Sequence, residues 1–314
     1  MLSLKTKLGR YPIGLTWENE ELLVAEIQKK QGGPSCKTLK IPIPQVFNIE
    51  GQLENKTLLV DSLVKIKMER GWKRRKTVIA FPSKQVSLRF FKLPGMPLKD
   101  LRQAVAWEAK QKYGLDKNEY SLDFSILTNT AVGRNDTREI VLAAVLKKSV
   151  TDLHEVFMAA GLALEAIDVA SFAFSRSLAG NLPSDTFSGN DLVLFLELNI
   201  DYTQLIFHLR GHVIFARVIT QNYLNRSLTP GKLATEIQIT VGYLKTIVQE
   251  IVLKEIVVGG LGMDWGGLCS LQDELGIAVK KGVPGFGYLA EPFPEPSFAI
   301  ALGLALRGFA GDVH

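Results

Sequence analysis

The order of three strands, a helix and a strand occurs twice along this chain. In the later copy, Asp191–Arg217 reads DLVLFLELNIDYTQLIFHLRGHVIFAR. It is an apolar strand, a polar bend at Asn199–Thr203, a second strand over Thr203–Leu209, a turn at Arg210-Gly211 and a third strand over His212–Val218. A helix over Lys232–Glu250, apolar along Leu233, Ile237, Val241, Leu244 and Val248, and a strand over Glu255–Val258 follow. In the earlier copy Tyr11–Trp17, Leu22–Gln28 and Lys37–Ile43 read as strands, with Gly32-Gly33-Pro34 breaking the chain before the third. Thr57–Arg70 is a helix on Leu59, Leu63 and Ile66 stopped by Gly71, and Thr77–Phe81 is a strand. One supersecondary order repeated at about 180 residues predicts a duplicated α/β fold, two lobes around a cleft. Leu192–Leu198 is nearly all apolar, which predicts a strand covered on both faces of its sheet.

Between the copies lies a segment of different character. Val86–Lys92, Leu122–Leu127 and Ile140–Leu146 read as strands, and Leu98–Tyr113 as an amphipathic helix stopped by Gly114. With the helix Val150–Ala160, ended by Gly161, they make an inserted βαββα-type subdomain over residues 86–164. The first lobe is then residues 1–85 plus 165–185, and the second residues 190–314, with helices at Leu268–Leu275, closed by Gly276, and Phe298–Leu306. Phe90 and Phe91 are strand neighbours and must point to opposite faces, so either both are buried or one is left for a partner.

Composition bounds the rest. The chain has 314 residues, 46% hydrophobic and 22% charged, ordinary for a soluble protein of two lobes. No run reaches the roughly 18 apolar residues of a membrane span. The start, MLSLKTKLGRYPIG, lacks a signal-peptide core, so a cytoplasmic location is expected. Cys36 and Cys269 form no pair motif, which suits a reducing compartment. A net charge of +5 is compatible with an anionic membrane surface, and the basic run Lys65–Lys76, KIKMERGWKRRK, is where such contact would be made. Trp72 alone among those cations is thin support for base stacking, so nucleic acid is not expected.

Chemistry-bearing residues are sparse. Glu197 sits near the end of an otherwise apolar strand, where a carboxylate must be hydrogen-bonded, paired or near a metal. His154, His208, His212 and His314 form no ligand cluster by spacing; His208 and His212 flank one hairpin turn and read as an exposed pair. No G-x-S-x-G elbow supports hydrolase chemistry. Asp168 reads as the cap of a helix starting at Ala170.

Four stretches carry a resemblance. They are RFFKLPGMPLKDLRQAVAWEAKQKYGL (Arg89–Leu115), AAGLALEAIDVASFAFSRSL (Ala159–Leu178), GHVIFAR (Gly211–Arg217) and IVVGGLGMDWGGLCSLQDELGI (Ile256–Ile277). In this order the chain resembles the actin-like ATPase superfamily, with its ribonuclease H-like duplicated fold, and within it the PilM-type pilus assembly proteins, relatives of FtsA. The resemblance implies a nucleotide site at Gly14, Thr16, Glu197, Asn199, Gly259, Gly260 and Gly262. It also shows where this chain departs. The first nucleotide loop carries Thr16 in place of the metal-directing Asp, Glu18 in place of a glycine and Leu23 in place of a lysine. In the second, the pattern D-I-G has become Glu197-Leu198-Asn199, and Gln221-Asn222 stands where two glycines are usual. ATP with Mg²⁺ is thus the implied cofactor, with weak binding expected and turnover not. One carboxylate about 5 Å from a phosphate costs about 3 kcal/mol at an effective dielectric near 20. The implied function is a scaffold of a type IV pilus, competence or secretion-type machine at the inner membrane. It would bind the cytoplasmic tail of a PilN-like bitopic protein. The alternatives are an active ATPase or sugar-kinase-like phosphotransferase, and an FtsA-like filament former that self-associates.

Overall fold

The computed structural model describes residues 11–18, 20–30, 33–43, 48, 52–72, 75–128, 137–187, 189–199, 202–219, 228–248, 250–262, 264–285 and 294–307. The first lobe starts with strands β1 (Ile13–Glu18), β2 (Glu21–Lys30) and β3 (Gly33–Pro42), then helix α1 (Lys56–Arg70) and strand β4 (Lys76–Phe81). The insert follows as β5 (Ser87–Pro94), α2 (Leu98–Tyr113), β6 (Tyr120–Thr128) and β7 (Thr137–Leu146). Helix α3 (Lys147–Ala159), strand β8 (Ala163–Val169) and helix α4 (Ala170–Ala179) return to the first lobe. The second lobe holds β9 (Asp191–Leu198), β10 (Thr203–Leu209), β11 (His212–Ile219), α5 (Pro230–Ile247), β12 (Val252–Gly259), α6 (Leu268–Leu275), β13 (Ala278–Lys281) and α7 (Ala299–Ala305).

The duplication is complete. The first sheet has the order β3-β2-β1-β4-β8 and the second β11-β10-β9-β12-β13. In each, three antiparallel strands form a meander and two more add in parallel beside the first strand. The second helix of the first copy, α3, therefore corresponds to α6, β8 to β13, and α4 to α7.

Three local expectations are corrected by this correspondence and its packing. Strand β13 lies in a stretch the sequence reading leaves without an element, because its four residues, AVKK, are too few to show a period and form an edge on which only Val279 is partly buried. Helix α3, read from sequence as part of the insert, puts Leu153, Val156 and Phe157 into the first-lobe core with Leu59, Leu63 and Ile66 of α1. The insert's own core is built by α2 through Leu101, Val105 and Ala109 against Ile140, Leu142 and Ala144 of β7. Its sheet has the order β5-β7-β6. Gly33 and Pro34 do not interrupt the chain but pair with Lys30 and Lys29 at the start of β3, an edge strand where a missing N–H is tolerated. Helix α1 buries Leu59, Leu63 and Ile66 as its period predicts, and Gly71 and Gly114 end their helices in the left-handed conformation that glycine adopts without strain.

Helices α4 and α7 pack on each other between the two sheets. Their crossing is close: a Cβ on Gly303 would lie 1.8 Å from the carbonyl oxygen of Ala173. Helix α7 covers β1, where a Cβ on Gly14 would lie 1.9 Å from the Ala301 carbonyl oxygen. Arg176 of α4 ties this layer together, donating to the Gly303 carbonyl at 2.8 Å and to Asp168 at 3.1 Å, with Arg307 also 3.5 Å from Asp168. Asp168 is thus an anchor for two arginines. Val169 stands at the cap position of α4, which has no side-chain cap bond, so the capping role read from sequence is not the one found.

The insert reaches across to the second lobe. Phe91 turns into its own core, 6.1 Å from Tyr113, while Phe90 packs 5.8 Å from Phe215 on β11. Both rings are therefore half-buried, each packed against a ring of this chain. No helix among the described residues is long and apolar enough to cross a membrane.

Candidate functional site

Alternation along a strand sends Gly14, Thr16 and Glu18 of β1 to one face, toward the interlobe helices. On β9 the same alternation sends Val193, Phe195 and Glu197 toward α4, while Leu192, Leu194, Leu196 and Leu198 enter the second-lobe core. The ends of β1 and β9 therefore face each other across the cleft, and their polar residues meet there.

The contact is a chain of hydrogen bonds. Asn199 donates its side-chain N–H to the Glu18 carboxylate across the lobes, and to the Tyr202 hydroxyl oxygen at 3.1 Å. Tyr202 donates its O–H to Glu197 Oε1 at 2.9 Å. The backbone closes the same bend, with the Asn199 N–H bonded to the Tyr202 carbonyl at 2.9 Å. Glu197 is 1% exposed and Asn199 3%. Burial, with Glu197 and Glu18 nearby, pushes the Tyr202 phenol well above its ordinary range, so it stays a neutral donor. From the first lobe Lys84 lies 5.1 Å above the Tyr202 ring.

The structure brings Glu197 and Asn199 into one site with Glu18. Thr16 is buried two residues before Glu18, paired with Leu23 of β2. The glycines are placed by packing within the chain. Gly14 is where α7 rests. Gly259 lies under Phe174 of α4, whose Cζ would be 2.8 Å from an added Cβ. Gly260, at φ 87°, wraps the end of β9, where a Cβ would be 2.6 Å from the Leu198 carbonyl oxygen; that oxygen accepts the Gly262 N–H at 2.9 Å. Gln221 and Asn222 lie outside the described residues.

Tyr202 and Lys84 are the site members that sequence reasoning passes over. Tyr202 lies inside a bend read as polar, and an aromatic ring in so short a connection was the available signal. Lys84 follows a strand and carries no motif.

His208 departs from its expected exposure. It is 4% exposed and packs against Phe195 with ring centroids 4.6 Å apart. Burial, helped by the charge of His212, pulls its pKa down to about 3, so the imidazole is neutral. Among the described residues no cluster of three or more potential metal ligands occurs. Burial, with the Glu26 carboxylate beside it, likewise pushes the Cys36 thiol up to about 12.

The basic run is partly consumed by the fold. Trp72 is buried and donates its indole N–H to Glu26 at 3.0 Å. Arg75 donates to the Tyr11 carbonyl, Lys76 pairs with Glu165 and Lys67 caps the α3 end at the Ala160 carbonyl, 3.0 Å away. Lys65 and Arg70 are exposed; Lys73 and Arg74 lie outside the described residues.

A family model described as type IV pilus assembly protein PilM matches residues 14–229. The chain belongs to the PilM family. The solved PilM–PilN type IV pilus biogenesis complex contains a chain 25% identical to this one, with 95% of this chain and 98% of that one covered at a TM-score of 0.79. A Bacteroides thetaiotaomicron protein with an actin-like ATPase fold and unknown function is 13% identical, with 96% and 98% covered at a TM-score of 0.50. That second likeness concerns the fold alone, which is actin-like in both. Comparison of this chain with curated protein sequences gives no match.

Proposed function

We propose that this PilM-family chain is a cytoplasmic scaffold in a type IV pilus, competence or secretion-type assembly machine. In this reading it binds the cytoplasmic tail of a PilN-like inner-membrane protein, in or beside the groove made by the inserted subdomain. That contact would hold it at the inner face of the membrane. The observation that carries the reading is the likeness, over nearly the whole of both chains, to a chain of the PilM–PilN complex. The exposed cations Lys65 and Arg70 would then face anionic headgroups as a secondary contact.

In the same reading the nucleotide site does not turn over ATP. The residues present do not fit a metal-bound triphosphate. Glu18 stands where the backbone would have to approach phosphate, and Asn199 fills the opposite position and bonds to it. Glu20 and Glu21 add charge of the same sign as phosphate. The first loop brings no cation among its described residues, and Lys84 is placed over the Tyr202 ring.

Fluorescence anisotropy with a labelled N-terminal tail peptide of a PilN-like protein tests the scaffold reading. Saturable binding that a scrambled peptide does not reproduce is expected; binding no better than the scrambled peptide overturns it. Calorimetry with ATP and Mg²⁺ tests the second part, where low-micromolar affinity abolished by Glu197→Ala would restore the active-ATPase alternative.

A further inference from the structure

Helices α1 and α3 run side by side in the same direction, and both end at one pole of the first lobe. Lys67, in the last turn of α1, donates to the Ala160 carbonyl at the end of α3, 3.0 Å away, and further back Lys56 meets Asp152 at 2.6 Å. The strands that follow these helices begin at the same pole, with Lys76 of β4 beside Ala163 of β8. Two large apolar side chains stand out there: Met68 is 76% exposed and Met158 62%. The small residues Gly71, Ala159, Gly161 and Ala163 around them are exposed as well.

Charge surrounds these methionines with mostly one sign. The run Lys65–Lys76 holds seven cations and one acid, Glu69. Arg75 is 3.8 Å from Glu26 and Lys76 2.7 Å from Glu165, while Lys65 and Arg70 project into solvent near the end of α1. Asp61 lies a turn back from Lys65, and Glu155, the acid nearest Met158 along α3, is met by Lys56 at 3.3 Å. Two helix C-termini would oppose an anion through their partial negative charge, but Lys67 sits on the carbonyl end of α3 and, with Arg70, fills the last turn of α1. Trp72, the aromatic residue of the run, is 1% exposed and bonded to Glu26, so no ring is offered to a nucleic-acid base. Flexible thioethers rimmed by lysine and arginine suit the boundary between headgroups and acyl chains instead.

We propose that this pole is a lipid-contact surface. The chain stands on an anionic bilayer with Met68 and Met158 at the acyl boundary and Lys65 and Arg70 among the headgroups. The location rests on the scaffold reading, which brings the chain to the membrane; the orientation goes beyond it. The insert leaves β4 and returns to α3 at the opposite pole, so it is held off the bilayer by the length of α3, about 20 Å. A tail reaching its groove must cover that distance, which takes about six extended residues. Each cation near an anionic leaflet is worth about fivefold in binding. The contact is therefore weak and reversible by itself and adds to that of the tail.

Flotation of the full chain with vesicles of equal parts phosphatidylglycerol and phosphatidylcholine, against phosphatidylcholine alone and with no tail peptide present, tests the surface. Salt-sensitive binding to the anionic vesicles is expected. Lys65→Glu together with Arg70→Glu should weaken it about tenfold or more. Met68→Glu should also weaken it, at an unchanged melting temperature, since that side chain is largely in solvent. In a Cys269→Ser background, an environment-sensitive dye on Met68→Cys or Met158→Cys should shift to the blue on the vesicles. The same dye on Leu98→Cys of the insert, a site 52% exposed, should not. No preference for anionic vesicles overturns the proposal, as does binding unchanged by the paired charge reversal, or a dye shift at Leu98 without one at Met68. Binding to a DNA duplex but not to the vesicles assigns the run to nucleic acid and likewise overturns it. Failure of the tail-peptide assay with flotation intact would remove the tail contact and keep this surface.

Discussion

Glu18 and Asn199 occupy equivalent positions in the two halves of the duplication, and they are bonded to each other across the cleft. Each stands two residues past a buried polar residue on an inner strand, Thr16 on β1 and Glu197 on β9. The two loops that the superfamily resemblance assigns to phosphate are thus tied together by side chains. The same pseudo-symmetry brings α4 against α7 at Ala173 and Gly303. The layer between the sheets is held by close packing, by the bonds of Arg176 to Gly303 and Asp168, and by the Glu18–Asn199 clasp at its edge.

Asn199→Asp should open that clasp. It replaces a donor with a carboxylate facing Glu18, in a place that is 3% exposed. Leaving buried polar groups unsatisfied costs on the order of 1–3 kcal/mol. A lower melting temperature and faster amide exchange at the ends of β1 and β9 are expected at neutral pH. Melting should recover in the double variant with Glu18→Gln, and unchanged exchange in Asn199→Asp would mean that the lobes are held by the helices alone.

Glu18→Gly should tighten nucleotide binding. It removes a charge worth about 3 kcal/mol against a phosphate about 5 Å away, equivalent to about two decades in dissociation constant. It also releases Asn199 from its interlobe partner. Titration with a fluorescent ATP analogue and Mg²⁺ gives the comparison. Equal affinities for the two proteins would show that the loop charge does not limit binding.

Gly14→Ala separates packing from ligand binding. The added Cβ would meet a backbone oxygen of α7 at 1.9 Å, and backbone cannot swing aside as a long side chain can. Overpacking of this kind costs about 1–3 kcal/mol and occasionally more. Destabilisation of that size is expected in urea whether or not ATP is added. A variant as stable as the parent would mean that α7 does not rest on β1.

Periodic apolar residues made most of this fold legible. Leu59, Leu63 and Ile66 marked α1, and the apolar run of β9 announced its place in the middle of a sheet. The repeat then ordered both sheets. What escaped had no period to show. β13 is four residues on an edge, and α3 reads as amphipathic without saying which core its face enters; its place follows only from its correspondence with α6. At the site, Glu197 was legible from the cost of burying a carboxylate in an apolar strand. Tyr202 and Lys84 were not, since ring and cation come together only when the lobes close. His208 was misplaced because its hairpin position suggests exposure, while strand alternation turns it inward beside Phe195.

His208 should govern part of the acid limb of stability. Its pKa falls from the ordinary 6.5 to about 3 on folding, chiefly through burial. Between those values the unfolded chain binds a proton that the folded chain refuses, so stability falls as pH is lowered through that window and is unaffected above it. The full effect is on the order of a few kcal/mol. His208→Leu keeps an apolar side chain of similar size against Phe195 and has nothing to protonate. Urea midpoints measured from pH 7 down to about pH 4 should fall less steeply in this variant than in the parent. Parallel slopes would mean that His208 is accessible to protons in the folded chain, contrary to its burial.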